Sequence, residues 1–144
     1  MIDPPRGAPL LHDDHGSILP LVLGYAVLAI AVILLCADAT SLYLAQKRLD
    51  GLADAAALAA SDGFELVLDG DVARARLDDA RAHEQAQAVV DAMPGHAVLV
   101  AVGSAEGSSA RVTVAAAWHP PIFSPFVPEG VPLRSTATSR NALD

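Results

Sequence analysis

The sequence predicts an α+β protein in which a long N-terminal transmembrane helix continues into a small domain with a second helix and a short antiparallel sheet. Three observations predict it. The run from Ser17 to Ala37, SILPLVLGYAVLAIAVILLCA, carries no charged side chain. Apolar residues then recur at alternating steps of three and four as far as Ala59, which is helical spacing. After Pro94-Gly95 the pattern changes to short apolar runs broken by turn residues, which is the spacing of strands.

Taken in order, residues 1–16 are polar and rich in Pro, Asp and His. They show no apolar period and are expected to form a flexible leader. The uncharged run is expected to be a transmembrane helix over residues 17–37. A helix rises about 1.5 Å per residue, so a run of this length matches the roughly 30 Å hydrocarbon core. Pro20 falls in its first turn, where the missing N–H costs little. The span should end at Asp38, because a carboxylate at the bilayer centre costs on the order of 3 kcal/mol. A cleaved secretory signal is the rival reading, since Ala37-Asp38-Ala39 fits an A-x-A site. Against it stand the acidic leader and an apolar run longer than a usual signal core of roughly 7–15 residues. Arg6 and the terminal amine on one flank balance Lys47 and Arg48 on the other, so the charge rule leaves orientation open. A short leader without folding elements favours a cytoplasmic N-terminus and an extracytoplasmic domain over residues 38–144.

Beyond the span, Leu42, Ala45, Leu49, Leu52, Ala56 and Ala59 form a heptad-like seam, so the helix should extend over residues 38–61. Two readings of that seam are open: packing on the domain the helix enters, or a contact with another chain. Ser61-Asp62-Gly63 is a stop signal. Asp69-Gly70-Asp71 is turn chemistry expected to open a second helix over residues 71–93. Strands are expected over residues 97–140: Ala97–Val102, its partner Ala110–Trp118, and a third short strand, Leu133–Thr138, near an edge. The segment 119–132 holds five prolines and cannot be a central strand. Its Ile122, Phe123, Phe126 and Val127 either fold back on the core or present a contact surface to a partner or the membrane.

Composition narrows the function. Seventeen acidic residues against nine basic ones give a formal charge of −8, which repels phosphate backbones and excludes nucleic acid as a partner. Cys36 is the single cysteine, so no intrachain disulfide forms. Asp69, Asp71, Asp78 and Asp79 lack the alternating ligands and terminal Glu of a calcium loop, and capping or a solvated acidic face accounts for them. His12 and His15 lie in the leader, and His83, His96 and His119 fall in separate elements without a catalytic motif. No enzyme, no metal and no cofactor is implied.

The elements Gly16-Ser17-Ile18-Leu19-Pro20, Asp38, Leu42-Tyr43-Leu44-Ala45, Leu49 and Ala53-Asp54-Ala55-Ala56-Ala57-Leu58-Ala59 together resemble the TadE/TadG-like proteins of tight-adherence (Flp-type) pilus assembly. The resemblance covers about 45 residues after Gly16. It implies a pilin-like component anchored in the cytoplasmic membrane. Its partners would be membrane lipid and other pilus-assembly or secretion-system proteins, with homo- or hetero-oligomers formed through the N-terminal helix. It also implies Gly16 and Ser17 as the residues flanking a processing site. Pilin-type precursors carry Glu at the fifth position after that site; here it is Leu21, which favours an accessory or minor component over a major filament subunit.

Overall fold

The computed structural model describes residues 18–70, 72–104 and 109–140. The fold is α+β, and the chain divides into two compact units, the first ending at Cys36 and the second beginning at Ala37. Helix α1, Ile18–Ser61, is one uninterrupted α-helix. Its second half is rich in Leu and Ala, both good helix formers, and it runs through Gly51 without a break. It ends in a tightened turn: Asp62 and Gly63 donate their N–H groups to the carbonyls of Ala59 and Ala60, at 3.0 and 3.1 Å.

A β-hairpin follows, of β1 (Phe64–Asp69) and β2 (Val72–Leu77), in register from Phe64↔Leu77 to Asp69↔Val72. Gly70, at φ +68°, turns the chain between them, in a conformation that only glycine adopts without a Cβ penalty. This corrects the expectation of a helix from residue 71. Ala and Arg favour helix in isolation, but Val-Ala-Arg-Ala-Arg-Leu also alternates with period two, and the adjacent Phe-Glu-Leu-Val-Leu-Asp supplies a partner strand. Helix α2 is therefore shorter, Asp79–Ala92. Asp78 caps it, its carboxylate accepting from the N–H groups of Ala80 and Arg81 at 3.0 and 3.2 Å. Satisfying these orphan donors fixes the helix start.

The second sheet is antiparallel, in the order β3 (Val98–Ser104), β4 (Ser109–Trp118), β5 (Val131–Arg140). In β4, Ala110, Val112 and Val114 are buried while Arg111 is exposed, the alternation of a half-buried strand. On the other face Thr113 and Thr136, directly opposite, share a hydroxyl hydrogen bond of 2.9 Å. A bulge at Val100 inserts one residue into β3 between Leu99↔Val114 and Ala101↔Thr113. The third strand is longer than the sequence predicts because its N-terminal end, with Pro132, lies on the sheet edge, where a missing N–H is tolerated.

One core joins the second half of α1, α2 and the buried face of β4, through Leu49, Leu52, Ala56, Ala82, Val90 and Val112 among others. Alanines make much of the helix surface in it, which lets backbones approach closely. Gly63 is the tightest point: a Cβ there would lie 2.8 Å from the backbone N of Ala82. The same substitution should therefore have opposite signs at two positions. Gly63→Ala forces α2 away and is expected to cost about 1–3 kcal/mol. At Gly51 a Cβ meets nothing within 4 Å, and Gly51→Ala is expected to stabilise the helix by about 1 kcal/mol. Thermal unfolding of the detergent-solubilised protein, followed by circular dichroism, checks both.

Candidate membrane anchor and juxtamembrane clasp

The first part of α1 has no packing face. Every residue from Ile18 to Ile33 is exposed, and none of the most apolar 18-residue window is buried. So long a run of bare Leu, Ile and Val in water opposes the hydrophobic effect, whereas a bilayer accepts it with all its backbone groups already paired. By length and composition α1 is able to cross a membrane.

From Ala37 onward the helix gains partners. Of the seam residues, Leu49, Leu52 and Ala56 are buried in the core described above, and Leu42, Ala45 and Ala59 are half-buried. Gly16 and Ser17 lie outside the described residues. Polar contacts tie the helix to β5: Ser135 donates its hydroxyl to Asp50 Oδ1 at 2.8 Å, and Gln46 donates to the same oxygen at 2.9 Å and to the Arg134 carbonyl at 3.4 Å. Lys47 Nζ lies 3.3 Å from Asp50 Oδ2.

These donors hold the Asp50 carboxyl below its ordinary range, the Gln46 bond contributing most, then Ser135, with Lys47 adding a bond and its charge. A depressed folded-state pKa means the contribution is full above the unfolded pKa of about 3.9 and is lost as pH falls through the folded value. Asp50→Asn should therefore flatten the acid limb of stability: its melting temperature is expected to fall less than wild type's between about pH 5 and about pH 2. A pH series of thermal melts measures this.

Asp38, at the start of the second unit, is 6% exposed. It does not stand in water as an interfacial acid. Its Oδ1 accepts from the backbone N–H of Ile122 at 3.4 Å, and its Oδ2 is buried without a hydrogen-bond partner. One turn on, Ser41 Oγ accepts from the Trp118 indole N–H at 3.2 Å. Asp38 and Ser41, three apart on one helix face, thus clasp the end of β4 and the Pro-rich loop. The i,i+3 spacing was readable in the sequence, but the partners lie about eighty residues away by number and no local signal announces them. In the loop Ile122 and Val127 are half-buried, while Phe123 and Phe126 are exposed, so its apolar residues divide between the core side and the surface.

Among the described residues the histidines do not gather: His83 is on α2, His96 precedes β3 and His119 follows β4, and all three are exposed, while His12 and His15 lie outside the described residues. Asp78 is spent on capping α2.

An apolar helix long enough to cross a membrane, with none of its most apolar window buried, fits the class of membrane-anchored proteins by length and composition. Residues 16–63, a third of the chain, match the model of the family described as "Putative Flp pilus-assembly TadE/G-like". The matched segment holds the apolar helix and the part of α1 that enters the core. No curated protein and no solved structure matches the chain.

Proposed function

We propose that this protein is a membrane-anchored accessory or minor component of a bacterial tight-adherence pilus or secretion system, acting by structural interaction and not by catalysis. The observation that carries this reading is the match over residues 16–63, because it falls on the segment that couples an unpacked apolar helix to a folded domain. In this reading α1 crosses the cytoplasmic membrane once, with the N-terminus in the cytoplasm and the domain outside. Helices of this kind associate laterally by exchanging lipid contacts for protein contacts, which suits assembly with other pilus proteins or with a second copy. The acidic charge leaves nucleic acid no role.

The secreted alternative requires removal of everything before Thr40. That cut would take away Asp38, which is buried and bonded to the Pro-rich loop, so the geometry supports retention of the helix. Intact-mass measurement on the native protein separates the two, a mature chain starting at Thr40 belonging to the secreted form alone. The role itself is tested by a clean deletion under pilus-expressing conditions. Loss or alteration of surface pili, restored by the full-length protein, is the expected result, and unchanged pili overturn the reading.

A further inference from the structure

From Pro120 to Pro128 the loop after β4, PPIFSPFVP, carries no charge. It turns through a short 3-10 helix, Ser124–Phe126, which sets the rings of Phe123 and Phe126 with centroids 6.4 Å apart. Neither ring is covered: Phe123 is 40% exposed, and Phe126, at 81%, is the most exposed large hydrophobic among the described residues.

The contacts along α1 show where this pair is held. Asp50 meets Ser135, Gln46 meets Arg134, Ser41 meets Trp118 and Asp38 meets Ile122. Moving toward the start of the helix, these four contacts pass from the middle of β5 to the Pro-rich loop, which makes the first of the four at Asp38. Asp38 is also the first charged residue after the uncharged run, so it marks where the helix would leave the hydrocarbon. Ile122, bonded to it, precedes Phe123 directly.

We propose that the Phe123–Phe126 loop is a second membrane contact, its two rings entering the boundary between lipid headgroups and acyl chains beside the exit of α1. The inference rests on the reading of α1 as a membrane span. Lipid is the occupant because Phe123 directly follows Ile122, whose N–H is bonded to Asp38, the first charged residue after the uncharged run, and because an uncharged aromatic pair suits the interface. Asp38 is a positioning residue: its bond to Ile122 holds the loop at the level of the exit.

The test uses the full-length protein with Cys36→Ser and one cysteine at a time, Phe126→Cys, Leu28→Cys or Leu66→Cys. Each carries an environment-sensitive fluorophore and is reconstituted into phosphatidylcholine vesicles, with or without spin-labelled phosphatidylcholine. The label at 126 is expected to fall to about half its intensity when the spin label sits near the headgroup. The label at 66, on the exposed face of β1, should be unchanged. Quenching at 28 without quenching at 126 overturns the loop contact and leaves the span standing. No quenching at 28 by a spin label deep in the chains removes the span, and this inference with it. A label at 126 that is shifted to the blue yet blind to spin-labelled lipid is covered by protein, such as a second copy, and that also overturns the lipid assignment.

Discussion

Leu28→Asp combined with Val32→Asp is expected to move the full-length protein from the carbonate-resistant membrane pellet to the soluble or aggregated fraction. Both positions are exposed on the apolar stretch of α1, and four residues apart they share one face. Residues 18–37 hold twelve Leu, Ile and Val, and at about 0.5 kcal/mol each they favour insertion by at most about 6 kcal/mol. Two aspartates near the centre cost about 3 kcal/mol each and cancel that preference. The pair Leu28→Ala and Val32→Ala keeps the run uncharged and should remain in the pellet, which separates a charge effect from a loss of bulk. Carbonate extraction followed by blotting reads the outcome. Retention of the double aspartate variant would show that something other than the apolar run holds the protein in the membrane. The same variant should fail to restore pili to a deletion strain.

Features carried by contiguous residues were legible beforehand. An uncharged run needs no tertiary context to be recognised, and the spacing from Leu42 to Ala59 marks a helix, of which Leu49, Leu52 and Ala56 enter the core. Pro94-Gly95 separates helix from sheet because neither residue continues a helix, and the strand from Ala110 to Trp118 declares itself by Val112, Val114 and the charged Arg111 between inward positions. Where two local patterns competed, the reading failed. Val72–Leu77 satisfies helix propensity through Ala and Arg and strand alternation through its period, and only pairing with Phe64–Asp69 decides between them. Pairing is a property of two segments, invisible when each is read alone. The clasp was hidden for a related reason. An aspartate after an apolar run reads as the end of a span, and nothing near it foretells that a loop beginning at residue 119 will cover it. That loop could be excluded as a central strand by its prolines, but which of its apolar side chains turn inward depends on where Asp38 and Ser41 hold it.

The seam offers the sharper experiment, because its two readings predict different observables for a single substitution. Ala56 is fully buried, between Leu52 and Ala60 on the face of α1 that enters the core. Ala56→Leu adds three carbons where α1, α2 and the sheet already meet, and overpacking of this kind costs about 1–3 kcal/mol. For a domain of about 100 residues each kcal/mol moves the midpoint by about 4–8 °C, so a fall of about 5–20 °C is expected in detergent. Leu58, on the same helix but 65% exposed, is the control, and Leu58→Ala should stay within about 0.5 kcal/mol of wild type. An intermolecular seam would behave otherwise. Ala56→Leu would then change the oligomer distribution in crosslinking or light scattering and leave the midpoint of dilute protein where it was. The buried position of Ala56 makes the first result the expected one.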